Sequence, residues 1–442
     1  MRKTSLQERV LILELSEAGL SDRQISEKMN LSRWTVRKWR RKAQAEGLQG
    51  LHSQMGRPAT GALSSFSPVV VEKLAYWREQ NPDWGPTTLL TELQIRPAIA
   101  ELPLPSRASI ARWLDEQDLA RDYEKHSELP NESDDGDQVE DCHEEWEMDA
   151  EGHGFIPQVG VVSLVNIIDR FSRAKIISYP CWLGKKRLER RLATPDYYLI
   201  MRLAFSEWGL PERLAADRSS VFFDNRSKSP FPTRIYLWML ALGVQVVIGR
   251  PHRPTDQAAV ERVHQTWQRQ VVRGQRFLNE KALLHRLQRR RRFLNYHLPC
   301  SALDGKPPLV AYPQARRTGR DYRPEWEMEI MDMKRIDAYL QEGKWFRKAS
   351  NVGAVTVAQE VYYLGREWKH QQVQVTYQPE GRRFKFESDG KVKHKPVRSM
   401  AKSDLMGDMG PLVGLDEFQL ALPFTWHEWR QTQLSNLLPG TT

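Results

Sequence analysis

The feature that most constrains this chain is a change of hydrophobic period near its middle. Before residue 127 the apolar residues recur at helical spacing. From Trp146 they fall in short β-branched runs. WEMDAEG (146–152), VGVVSLVNIIDRFSR (159–173) and AKIISYPCW (174–182) read as three strands in close succession. TPDYYLIMRLAFSEWG (194–209) is an amphipathic helix, RLAADRS (213–219) a fourth strand, residues 231–242 a helix and VQVVIG (244–249) a fifth strand. RPHRPTDQAAVERVHQTWQRQVVR (250–273) is a loop feeding a long helix. The order β-β-β-α-β-α-β-α predicts an α/β domain, a mixed five-stranded sheet with flanking helices, over residues 146–312.

Three acids stand at particular places in that order: Asp149 on the first strand, Asp217 ending the fourth, and Glu261 near the start of the last helix. The triplet WEMDA, LAADRS and RPHRPTDQAAVERVHQTW resembles the Asp-Asp-Glu signature of retroviral integrases and bacterial insertion-sequence transposases, as does IIDRFSR in the second strand. FLNYHLPCSALDGKPPLVAY (293–312) resembles the segment that closes the core in bacterial members. The resemblance implies a ribonuclease-H-like catalytic core that cleaves DNA to expose 3′-hydroxyl ends and joins those ends to target DNA. It implies Asp149, Asp217 and Glu261 as both catalytic residues and ligands of two Mg²⁺ ions, with Mn²⁺ able to substitute. The residue types suit that chemistry. In-line attack on a phosphodiester is served by two metal ions about 4 Å apart, and Mg²⁺ prefers hard carboxylate oxygens. Three details depart from the family pattern. Arg218-Ser219 follows the second acid, Ala258 stands three before the glutamate, and the second and third acids are 44 positions apart. Among neighbouring acids, Asp169 beside Arg170 and Arg173 reads as a structural ion-pair partner, and Asp224 and Asp256 are rival candidates.

Upstream, residues 1–50 read as a helix-turn-helix domain: an amphipathic helix at 5–18, then DRQISEKMN and RWTVRKWRRK across a tight turn. Val36 and Trp39 form the inner face of the last helix. Arg33, Trp34, Thr35, Arg37, Lys38, Arg40 and Arg41 are candidates to meet bases and phosphates. The alternative is a helical hairpin with a solvated basic face. Residues 51–66 are a basic, Gly-rich linker. Residues 67–126 form a second all-α module resembling the second helix-turn-helix of insertion-sequence transposases. There Arg107, Ser109 and Arg112 would face DNA, and a plain three-helix bundle fits nearly as well. Residues 127–145 are acidic, lack Lys and Arg, and read as a linker. Around the expected catalytic helix Arg250, His252, Arg253, Arg262, Arg269, Arg273 and Arg276 would neutralise phosphates. For the run Arg289–Arg292 a solvated face and a DNA contact are evenly matched.

Residues 313–343 read as a connector, 344–398 as a small β-barrel built from alternating strands with Pro-Glu-Gly and Ser-Asp-Gly turns, and 399–442 as a tail. Arg382, Arg383, Lys385, Lys391, Lys393 and Lys395 give the barrel a basic face. The net charge of +10 suits a polyanionic partner. The three cysteines, Cys142, Cys181 and Cys300, form no CxxC pair, which argues against a disulfide framework or a zinc cluster and fits a reducing cytosol. The N-terminus lacks a signal-peptide core, and no apolar run is long enough to span a membrane. The expectation is a bacterial cytoplasmic, nucleoid-associated enzyme that binds double-stranded DNA at element ends and target, self-associates to a dimer or higher on DNA, and has an ATPase helper as a possible partner. Two other classes compete: a catalytically inactive, transposase-derived DNA-binding regulator, and a nuclease of the same fold that cuts without joining.

Overall fold

The structure, a computed structural model, describes residues 4–51, 61–120, 139–216, 221–222, 229–248 and 258–407. The chain divides into two compact units. The first holds residues 1–68 and 108–120, the second residues 69–107 and 121–442. No helix among the described residues is long and apolar enough to cross a membrane.

In the first unit, α1 (Leu6–Glu17), α2 (Asp22–Met29) and α3 (Arg33–Glu46) each begin at a serine. Ser5 and Ser21 make reciprocal capping boxes with Glu8 and Gln24, and Ser32 accepts from the Thr35 amide. Asn30 ends α2 in the left-handed conformation, the tight turn that the sequence predicts. The core is Ile12, Ile25, Leu31, Val36, Trp39, Ala43 and Leu51. Arg9 is buried in it, stacks 4.0 Å from the Trp39 ring and donates to the carbonyls of Leu51 and Thr4. Leu6 and Leu11 lie exposed, so Ile12 anchors α1. α7 (Arg107–Glu116) belongs almost wholly to this unit, where Glu116 accepts from the Ala62 amide.

The second unit opens with α4 (Pro68–Gln80), α5 (Pro86–Gln94) and the single turn α6 (Pro97–Ala100). The sheet follows: β1 (Glu145–Ala150), β2 (Gly154–Ile156), β3 (Gly160–Asp169), β4 (Lys175–Gly184), β5 (Arg213–Ala216) and β6 (Gln245–Ile248). β3 pairs antiparallel with β4 on one edge and with β1 and then β2 on the other. β1, β5 and β6 run parallel. This is the expected mixed sheet with one addition. The three-residue β2 prolongs the line of β1 along β3, too short to show in the sequence pattern.

Each face of the sheet carries its own core. α8 (Thr194–Trp208) and α9 (Arg234–Ala241) pack on Trp146, Met148, Val165 and Ile167. α10 (Ala258–Trp267), a π-helical turn (Gln268–Val272) and α11 (Glu280–Tyr296) cover Val162, Leu164 and Ile168 on the other face. The expected single long helix is thus interrupted at Gln268 by a wider turn. α12 (Pro308–Ala311), α13 (Glu327–Ile330) and α14 (Met333–Glu342) lead to the C-terminal strands. A buried ion pair ties this stretch down: Arg202 of α8 meets Glu327 of α13 at 2.9 Å, and Trp238 donates to the same carboxylate.

The C-terminal strands do not form the expected barrel. β7 (Lys344–Lys348), β10 (Gln372–Gln378), β11 (Arg383–Ser388) and β12 (Lys391–Pro396) make an open four-stranded sheet in the order β12-β11-β10-β7, and β8 (Ala354–Val357) and β9 (Glu360–Tyr363) a separate hairpin. Barrel closure needs a ladder between the outer strands, and none is present among the described residues. The inner faces join the core of the main sheet, where Phe231 stacks on Trp345 at 4.6 Å and on Phe384 at 5.8 Å. α15 (Lys402–Met406) follows, and the remaining tail lies outside the described residues, as does most of the acidic stretch.

Candidate active site

β1 supplies the site's foundation. Its alternation sends Trp146 and Met148 into one core, which turns Glu147, Asp149 and, just beyond the strand, Glu151 to the face under α10. Helix and strand run alongside with matched steps. Glu147 accepts from the Val260 amide at 3.3 Å, the Asp149 carboxylate lies 3.8 Å from His264 Nδ1, and Glu151 accepts from Gln268 at 2.7 Å. Two residues of strand rise about 6.7 Å and four residues of helix about 6 Å, so every second strand residue meets every fourth helix residue.

Glu147 holds the helix start. Its oxygen satisfies one of the amides that the first turn of α10 leaves without an intrahelical partner, and a carboxylate is favoured at that end. Burial pushes its carboxyl up to about 7, against the pull of Arg170 and Arg173. Arg170 lies 3.5 Å from Glu147 and 2.7 Å from Glu145, and Arg213 lies 3.2 Å from Glu145. Burial also raises Glu151 and lowers His264. Glu145, Glu147, Asp149 and Glu151 form an i, i+2 series of acids in a strand with one apolar face. That sequence signal marks Glu147 and Glu151 as well as Asp149.

Two of the three predicted acids stand on adjoining elements, Asp149 on β1 and Glu261 on α10. Asp149 is partly buried, with Oδ1 accepting from the Ala150 amide at 2.9 Å. Glu261 is exposed in the first turn of α10, three residues before the histidine that faces Asp149. Asp217 lies outside the described residues, as do Asp224, Asp256, Arg250, His252 and Arg253. Among the described residues no three metal-ligating side chains converge. The donors present are carboxylate oxygens, the type Mg²⁺ takes. Beside them the fully buried Asn166, opposite Asp149 on β3, has both amide atoms unpartnered among the described residues, polar groups that a carboxylate held for a cation could engage.

Asp169 is structural, but by another route than an arginine pair. It accepts from the amides of His143 and Ser172 and from the Ser172 hydroxyl, while Arg170 turns to Glu145 and Glu147. The arginine run divides: Arg290 and Arg291 are buried in ion pairs with Glu92 and Glu207, and Arg289 and Arg292 are exposed. Arg262 and Arg269 are exposed, seven residues apart on α10 and the turn after it.

On α3, Val36 and Trp39 face inward, and Arg33, Trp34, Arg37 and Arg41 are exposed, Trp34 at 60%. Lys38 lies 5.4 Å from the rings of both Trp34 and Trp39. Thr35 is engaged at the helix cap with Ser32. Arg40 and Arg37 reach Asp22 of α2 at 2.5 and 3.5 Å. Arg107 donates to Thr87, and Arg112 is exposed.

Residues 3–51 match the model of a homeodomain-like domain. Among solved structures, the chain is similar to a simian T-cell lymphotropic virus intasome in complex with a PP2A regulatory subunit, at 12% identity over 58% of this chain and 77% of that one, with a TM-score of 0.29. It is also similar to the HTLV-2 integrase catalytic core domain in complex with magnesium. The trimeric form matches at 14% identity and a TM-score of 0.28, the dimeric form at 16% and 0.27, each over 39% of this chain and 97% of that one. Scores this low mark a distant likeness only.

Proposed function

We propose that this chain is a DNA transposase of the integrase type that binds the ends of a mobile element, cleaves them to expose 3′-hydroxyls and joins these to target DNA, with Asp149, Asp217 and Glu261 holding two divalent cations. The observation that carries this is the seating of α10 on β1, which puts the helix bearing Glu261 against the strand bearing Asp149. The pairing of β1 with β5 supports the third member. Ala216, the last residue of β5, is opposite Met148, and in the sequence Asp217 follows Ala216 as Asp149 follows Met148. Bound Mg²⁺ supplies the charge that activates an attacking oxygen and stabilises the leaving one. The chain's own residues set where that charge sits. Glu147 fixes the start of α10, the carboxylates orient the cations, and exposed Arg262 and Arg269 draw in the phosphate backbone. The homeodomain-like segment holds the DNA through α3. Because two ends are cut in concert, the chain acts as a dimer or larger assembly on DNA.

The test is Mg²⁺-dependent cleavage and joining of duplex DNA carrying the element's terminal repeats by the full-length protein. Asp149→Asn, Asp217→Asn and Glu261→Gln each lower the rate by about a thousandfold or more, with the melting temperature nearly unchanged. Full activity in any one of them removes that residue from the site. Cleavage without joining in the wild type favours the nuclease instead.

A further inference from the structure

We infer that Asn166 is a positioning residue for Asp149, and that Ser178 holds Asn166 in turn, a polar row crossing three strands on the sheet face that α10 and α11 cover. This rests on the carboxylate site proposed above. Asp149 is paired with Asn166 across β1 and β3, and Asn166 with Ser178 across β3 and β4. Directly opposed residues share a face of the sheet and place their Cβ atoms about 5 Å apart. Asn166 is 0% exposed and Ser178 3%.

Neither has a partner for its polar atoms among the described residues: Asn166 Nδ2 and Oδ1 and Ser178 Oγ are all orphaned. Glu151 Oε2 and His264 Nε2, on the same face, are orphaned too. Orphaned polar atoms in a buried strand cost stability. Asn166 stands in VVSLVNIID, where an apolar residue would fill the same space without that cost. The Asp149 carboxylate is meanwhile engaged elsewhere, by the Ala150 amide and toward His264. The row is complete when that carboxylate turns to hold a cation: Asn166 Nδ2–H donates to Asp149, and Ser178 Oγ–H donates to Asn166 Oδ1. Each orphaned atom of Asn166 and Ser178 then has a role, and the ligand oxygen is held in direction. Groups that orient a metal ligand this way are worth about 10- to 100-fold in metal affinity.

The test is Mn²⁺ binding to the full-length protein without DNA, read from the electron paramagnetic resonance signal of free Mn²⁺, alongside thermal melting. Asn166→Leu weakens Mn²⁺ binding about tenfold or more while the melting temperature holds or rises. Ser178→Ala weakens binding less, and Asn166→Thr, which keeps a donor, recovers part of the loss. Wild-type Mn²⁺ affinity in a folded Asn166→Leu protein overturns the inference. If Asn166→Leu does not fold, Ser178→Ala decides by the same measurement: weakened binding supports the row, unchanged binding overturns it. Asp149→Asn separates the two layers. If it binds Mn²⁺ like the wild type, the carboxylate site itself is wrong. If it loses Mn²⁺ while Asn166→Leu does not, only the row is wrong.

Discussion

Arg290 lies within a run of four arginines, yet it is 5% exposed and takes part in none of the surface chemistry such a run suggests. Its guanidinium bonds Glu92 and Gln270 and lies 4.4 Å from the Trp84 ring and 3.8 Å from Phe293. Removing one partner of a buried pair leaves an uncompensated charge, at about 3–5 kcal/mol. Arg290→Ala and Glu92→Ala therefore lower the urea midpoint sharply, whereas Arg289→Ala and Arg292→Ala stay within about 0.5 kcal/mol of the wild type. Equal shifts in all four would refute the division. At this scale the sequence was partly legible. Successive helix residues are turned by about 100°, so four arginines in a row cannot all face water. Which two turn inward depends on Glu92 and Glu207, far away along the chain. Asp169 failed for a related reason: adjacency to Arg170 and Arg173 named the wrong partners, because Arg170 is drawn to the acids of β1.

Strands and helices were legible where period and length agree. The ten-residue β3, buried throughout, and the parallel pair β1 and β5 follow from their apolar runs. The π-helical turn did not, because QRQVV carries no marker for an extra residue in the turn. Alternation beyond residue 344 specifies strands, but it does not reveal whether outer strands pair, and the sheet stays open. For α3 the candidates separate by engagement. Arg33 and Arg41 are exposed, whereas Arg40 is held by Asp22. Measured by fluorescence anisotropy against salt, Arg33→Ala and Arg41→Ala each reduce the slope of log K against log[salt] by about one. Arg40→Ala reduces it less. Equal slopes for all three would place Arg40 on the phosphates as well.

In the second unit the helices before the sheet are built into it. Besides Arg290–Glu92, Gln270 of the π-helical turn donates to Thr88 of α5, and Arg286 of α11 donates to Asn81. A protein starting at residue 139 leaves Arg290 buried without its acid, and melts well below one starting at residue 69. Matching melting temperatures would show that α4–α6 contribute nothing to the core. The sequence hid this connection, since its partners are nearly 200 positions apart and the helices of residues 67–126 look like a self-sufficient bundle. The clasp also bears on how such a chain can be rearranged. The acidic stretch 127–145 looks like the natural seam for grafting a new front end. A chimera joined there would carry off α5 and leave Arg290 without Glu92. A join within residues 52–60 keeps the clasp but parts α7 from the unit it belongs to. Compatibility in a swap therefore has to be inherited in pairs, Glu92 with Arg290 and Thr88 with Gln270, whichever seam is chosen.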